Sequence, residues 1–189
     1  MTPEVTQILK GLARGDRQAA AELLPIVYAE LRRLAAAQMG RLRPGQTLQP
    51  TAVVHEAYFK LVGGEDPGWE GRGHFFGAAA QAMRELIVDH QRRRAAQKRG
   101  GGRPNEELDA AMGGCVDGLG ADDVLAVHAA LERLEVEHPR KAKVVVMRYF
   151  GGLSEEEIAE ALGVTARTVE REWRFARAYL HDVLRGGAT

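Results

Sequence analysis

The sequence predicts an all-α protein: two small helical bundles joined by a flexible linker, the second containing a helix-turn-helix. Three observations carry that expectation. Alanine and leucine are plentiful, aromatics make up only 6% of the 189 residues, and apolar residues recur at helical rather than alternating spacing. A glycine-rich stretch without periodicity, residues 100–121, divides the chain. The stretch Leu153 to Leu180 combines a capped short helix, a turn glycine and a second capped helix. The expected organisation is a domain at 1–99, a linker at 100–121 and a domain at 122–189.

In the first domain, Thr2-Pro3-Glu4 reads as a helix start: a cap, a proline in the first turn and an acid favoured by the dipole. That helix runs to about Leu12, and Gly15-Asp16 restarts the chain. Leu23, Leu24, Val27, Leu31 and Leu34 form the apolar stripe of a second helix ending near Met39. Pro44-Gly45 marks a turn. Pro50 opens a third helix to about Val62, with Val53, Val54, Ala57, Tyr58 and Leu61 inward and His55, Glu56 and Lys60 outward. Gly63 to Gly68 is a loop by composition. A long helix, about Phe75 to Gln97, comes next, with Phe75, Phe76, Ala79, Ala80, Met83, Leu86 and Ile87 as its buried stripe.

In the second domain, Asp122 opens a helix carrying Val124, Leu125, Val127, Leu131 and Leu134. Pro139 opens another to about Phe150, closed by Gly151-Gly152. Ser154 and Glu157 then form a capping box, Ile158, Ala159 and Leu162 make one apolar stripe, and Gly163 ends the short helix. Thr165 caps the last helix. At about 100° per residue, Trp173, Ala176 and Leu180 fall within roughly 40° of Val169, on the packed side. Arg167, Arg171 and Arg174 lie roughly 140–200° away. Guanidiniums on such a face suit phosphates and guanine edges. Glu170 sits at the flank of that face and Glu172 nearer the packed side; both oppose DNA contact.

Formal net charge is zero but unevenly distributed. Residues 84–103 hold seven basic residues against two acids, and residues 104–123 hold six acids without a Lys or Arg. The basic cluster at the end of the long helix, including Arg84, Arg92, Arg93 and Arg94, exceeds what a helix C-terminus requires and reads as a phosphate-binding surface. Trp69 and His74, just before it, are placed to stack on unpaired bases, whereas Phe75 and Phe76 read as core. The single cysteine excludes a disulfide framework and a cysteine-based zinc site. His55-Glu56 lacks the second histidine of a zinc hydrolase, since Phe59 stands where it would fall, and Gly100-Gly101-Gly102 lacks the Lys-Ser/Thr of a phosphate-binding loop. Neither a cofactor nor catalysis is expected. With neither a signal peptide nor a long apolar run, the expected location is the cytoplasm.

Three separated segments, LQPTAVVHEAY, GHFFGAAAQAMRELIVDHQRRR and TVEREWRFARAYL, stand in an order that resembles the extracytoplasmic-function (ECF) group of bacterial RNA polymerase sigma factors. The resemblance covers about residues 5–185. It implies a transcription initiation factor whose partners are RNA polymerase core and promoter DNA, and often an anti-sigma factor. It implies that Leu48 to Leu61 docks on the coiled coil of the largest polymerase subunit through Val53, His55, Glu56, Phe59 and Lys60, with His55-Glu56 where the family more often has Gln-Glu. It implies that Trp69, Arg72, His74, Arg84, Arg92, Arg93 and Arg94 melt and read the −10 element, and that Thr165, Arg167, Thr168, Arg171 and Arg174 read the −35 element. The acidic linker would thread near the RNA exit path. Glu170 and Glu172 depart from the family's basic or small residues. A helix-turn-helix regulator without polymerase docking would explain residues 122–185 but not the basic helix or the third helix.

Overall fold

The computed structural model describes residues 3–12, 17–42, 48–63, 71–99 and 120–186. Among these the chain is all-α, as expected, and contains no strand. The first half supplies α1 (Pro3–Leu12), α2 (Arg17–Met39), α3 (Pro50–Val62) and α4 (Arg72–Arg99). The second supplies α5 (Ala121–Glu137), α6 (Pro139–Val145), a π-helical turn at Val146–Phe150, α7 (Glu155–Leu162) and α8 (Ala166–Gly186). Trp69, the Pro44-Gly45 turn and the linker at 100–119 lie outside the described residues.

The helix starts obey local chemistry. Pro50 and Pro139 each stand in a first turn, where the missing amide costs nothing. Asp122 and Asp123 sit in the first turn of α5, and Asp123 Oδ2 accepts from the Gly120 amide at 2.8 Å. Pro25 lies inside α2, where it withholds one ladder donor; its side chain faces solvent. The π-helical turn is a departure from the uninterrupted helix expected to Phe150. Such a turn inserts one extra residue into the helical ladder and re-aims its last side chains, here Tyr149 and Phe150.

Most stripe residues are buried as the periodicity predicts, while Leu24, Leu86, Leu125 and Val127 are half-buried. Leu23, Val27, Leu31 and Leu34 of α2 and the five inward residues of α3 are buried. Phe75 and Phe76 are both in the core, edge to face at 5.4 Å between centroids. α4 is the axis of the molecule. At 1.5 Å per residue its 28 residues extend about 42 Å, and it packs against α2 and α3 on one side and α5, α7 and the π-helical turn on the other.

The main core therefore does not stop at the linker. Leu9, Leu23, Val54, Phe76 and Met83 from the first half pack in one cluster with Val144, Met147, Ile158 and Val169 from the second. A smaller cluster joins Leu42, Ile87 and Val88 to Val124. A third, built on Leu131, Leu134, Ala142, Val145 and Ala176, belongs to the second half alone. The halves approach closely at Gly73, where a Cβ would stand 2.9 Å from the Glu157 carbonyl oxygen and 3.1 Å from the Ala161 Cβ. Only a glycine lets the start of α4 lie flush on α7.

Candidate nucleic-acid interface

The α7–turn–α8 unit is fixed by its caps. Ser154 Oγ accepts from the Glu157 amide at 3.2 Å, and Glu157 Oε2 accepts from the Ser154 amide at 2.9 Å, so two orphan donors are satisfied reciprocally. Gly163 adopts φ 63°, ψ 37°, a left-handed conformation that closes α7 with no Cβ penalty. Thr165 Oγ1 then accepts from the Thr168 amide at 3.2 Å and caps α8. Val169 and Ala176 are fully buried, and Trp173 bridges the main core and the cluster of the second half. The stripe thus packs on α5, α6 and α7 rather than on α7 alone. Its opposite face presents Arg167, Arg171 and Arg174 to solvent.

The two acids on α8 resolve differently. Glu170 pairs with Arg174 one turn on, and the guanidinium holds the Glu170 carboxyl below its usual range. The Arg174 side chain is still 72% exposed, and surface pairs of this kind are weak, so the arginine remains available. Glu172 is 4% exposed and bound by Arg140, whose Nε donates to its two carboxylate oxygens at 2.9 and 3.1 Å. It is a strut between α8 and α6, turned away from the arginine face. Arg148 ties the π-helical turn to both helices: it bonds Glu155 and stands 5.0 Å over the Trp173 ring.

On α4 the residues divide into three groups. Arg72, at its first turn, is bonded by Glu30 of α2 and Glu157 of α7 and lies over the Phe76 ring at 4.7 Å. Arg84 is 5% exposed, and its Nη1 donates to His128 Nδ1 of α5 at 2.7 Å. Burial lowers the Arg84 pKa, with Glu135, Glu85 and Glu132 opposing. In this arrangement Arg84 therefore faces α5 and not solvent. Arg92 and Arg93 are exposed and Arg94 is half-buried; Arg92 has Asp89 at 3.7 Å. His74 is half-buried. On α3, His55, Glu56, Phe59 and Lys60 form an exposed face, with the Phe59 ring 71% exposed and Lys60 Nζ 3.5 Å from Glu85. Val53 is not on that face: it is 1% exposed and belongs to the core, as its place on the apolar stripe requires.

The ECF sigma factor family model matches residues 2–186. The chain belongs to the ECF sigma factor family. It is accordingly a transcription initiation factor that acts with RNA polymerase at promoters. No curated protein matches the chain closely enough to serve as a relative. Among the sigma factor's described residues, no helix is long and apolar enough to cross a membrane, and no group of His, Cys, Asp and Glu could hold a metal ion.

Sequence reasoning did not find the partners of the two buried charges, Arg84 and Glu172. Arg84 carries a signal in hindsight: at 100° per residue it lies about 40° from Ala80 and 60° from Ile87, inside the buried stripe of α4. Its partner, His128, is separated from it by the linker and by 44 positions. Arg41 is a further residue that sequence reasoning missed. Its Nη2 donates to the Tyr149 carbonyl at 3.0 Å and its guanidinium lies 4.0 Å from the Tyr149 ring centroid, a contact with the π-helical turn.

Proposed function

We propose that this sigma factor directs core polymerase to promoters with two readers and one docking face. The exposed side of α8, through Arg167, Arg171 and Arg174 with Thr165 and Thr168, reads the −35 element. The start of α4 and the loop before it, through Trp69, Arg72 and His74, trap bases of the melted −10 element, while Arg84, Arg92, Arg93 and Arg94 contact its phosphates. The face made by His55, Glu56, Phe59 and Lys60 docks on the coiled coil of the largest polymerase subunit, with Val53 holding that helix in place from beneath.

One observation carries the reading most directly: α8 packs one side against the protein, with Val169 and Ala176 fully buried, and leaves three arginines on the other. That is the disposition of a helix that enters a major groove. Melting costs pairing and stacking energy, and a pocket for an extruded base offsets part of it. Two weak readers on one chain gain from effective concentration.

The two elements lie about two helical turns apart, roughly 70 Å at 34 Å per turn. Here the start of α4 abuts α7. Both readers can engage one promoter only if the halves separate, and the stretch between Arg99 and Ala121 spans roughly 70–75 Å when extended. An anti-sigma factor that keeps the halves together is the partner this geometry favours.

Reconstitution tests the function. Added to sigma-free core polymerase, the protein is expected to form a stable complex and to initiate from genomic start sites that share −35 and −10 sequences. DNA binding without complex or initiation would sink the proposal and leave a helix-turn-helix regulator.

A further inference from the structure

A cavity of about 730 Å3 lies in the seam between the two halves, within the size range of small-molecule sites, roughly 300–1,000 Å3. α4 contributes Ile87 and Val88 to its wall, α5 Val124 and Leu131, and α8 Leu180 and Leu184. Polar groups line it as well. Gln38, near the end of α2, and Arg41, two residues beyond that helix, line it with Arg84. Gln38 Nε2 reaches the carbonyls of Ala80 on α4 and Phe150 on the π-helical turn, which places this end of α2 one turn from Arg84.

Each of these three residues leaves a buried polar atom without a partner: Gln38 Oε1, Arg41 Nη1 and Arg84 Nε. Gln38 and Arg84 are both 5% exposed. Unmade hydrogen bonds of buried groups are costly, and those of cations most of all. Nothing in the packing of the two halves uses these atoms. The lining as a whole contains four arginines, Arg41, Arg84, Arg174 and Arg177, against one carboxylate, Asp182. An occupant that satisfies both features has an apolar body and one anionic end that accepts from two guanidiniums.

We propose that this cavity binds a long-chain fatty carboxylate, with its carboxylate on Arg41 and Arg84 and its chain along the apolar walls, and that the bound molecule holds the two halves closed. Because α2 and α4 supply one wall and α5 and α8 the other, the complete site exists only while the halves are packed together. A ligand of that site stabilises the closed arrangement by mass action. The consequence for initiation rests on the proposed separation of the halves; the binding does not.

The test is a titration of the full chain with palmitate below its micellar concentration. Trp173 lines the cavity, so its fluorescence in a Trp69→Phe background reports occupancy. Saturable one-to-one binding is expected, about tenfold weaker for hexadecanol, which lacks the charge. Affinity rises roughly tenfold for each two methylenes added between decanoate and palmitate. Arg41→Met weakens palmitate about tenfold. Leu184→Trp, at the exposed end of the cavity, blocks it without disturbing the core. Hexadecanol binding as tightly as palmitate, or palmitate binding indifferent to both substitutions, would overturn the site and leave a protein segment as the occupant of the seam. Palmitate that binds as described but leaves promoter-directed transcription unchanged would overturn the closing role alone. Absence of any initiation without palmitate would count instead against the proposed function.

Discussion

The basic residues of α8 and those at the start of α4 meet opposite fates in one structure. Among the described residues, Arg167, Arg171 and Arg174 stand in solvent, with the weak Glu170 pair on Arg174. Arg72 is held by carboxylates from two helices, and Arg84 is buried against His128. The same charge type is presented at one place and engaged at another because the packing of the second half on α4 covers the beginning and middle of that helix and leaves its end, with Arg92 and Arg93, open. The proposed −35 reader is therefore competent as folded. The proposed −10 reader is competent only once Arg72 and Arg84 exchange protein partners for nucleic acid.

The largest expected effect tests whether the two halves are one cooperative unit. Phe75 is fully buried in the cluster that includes Ile158 and Val169. Phe75→Ala should cost about 3–5 kcal/mol. In a Trp69→Phe background, urea unfolding monitored at Trp173 should shift to lower denaturant by that amount, although the two residues lie on opposite sides of the linker. An unchanged Trp173 midpoint would mean that the halves unfold independently, and the contrast between the two readers would lose its basis.

Next comes the exposed reader. Arg171→Ala should reduce initiation at promoters that depend on a −35 element by roughly ten- to a hundredfold, the value of one good base contact. Binding to core polymerase, measured by pull-down, should be unchanged. Equal loss of both would place Arg171 in the docking machinery instead.

These contrasts mark what a sequence exposes. The helices are legible from their stripes and starts: Pro50, Pro139, Ser154 and Gly163 act locally, and local signals survive without a partner. The outward face of α8 is legible for the same reason, since a helix at 100° per residue separates Val169 from Arg171 whatever surrounds it. Even Glu172 falls on the packed side by its angle alone, although its partner Arg140 does not show in the pattern. What is not legible is the seam. The sequence reads as two bundles because the stretch at 100–121 has no periodicity, and nothing in a linear pattern says that Val54, Phe76 and Met83 share a core with Val144 and Ile158. Arg72, Arg84 and Arg41 all take their partners across long sequence separations, and a basic residue looks the same in sequence whether DNA or a buried histidine awaits it.

A smaller effect would sharpen the state of Arg72. Glu30→Gln removes one of its two carboxylates and, unlike a change at Glu157, leaves the capping box of α7 intact. Affinity for a single-stranded −10 oligonucleotide, read by fluorescence anisotropy, should rise about three- to fivefold, near 1 kcal/mol. An unchanged affinity would show that Glu30 does not hold the proposed −10 surface back.

The smallest effect concerns the other engaged arginine. Arg84 can only donate, so His128 Nδ1 accepts and the imidazole proton sits on Nε2, which faces Glu132 at 3.2 Å. Burial pushes the His128 pKa down first; Arg84 and Arg92 push it further, while Glu132 and Glu85 oppose. The folded value thus lies below the unfolded histidine value of about 6.5. The unfolded chain takes the proton first, so the stability held by neutral His128 is complete above that value and is lost as the pH falls through it. Acidification from pH 7.5 to 5.5 should cost up to about 1 kcal/mol at this site. His128→Asn keeps an acceptor for Arg84 and cannot ionise, so it should reduce that slope in urea titrations. It should not remove it, because burial also lowers the His90 pKa. A slope identical to that of the unsubstituted protein would mean that Arg84 leaves His128 without cost, and that the seam between the halves does not depend on this contact.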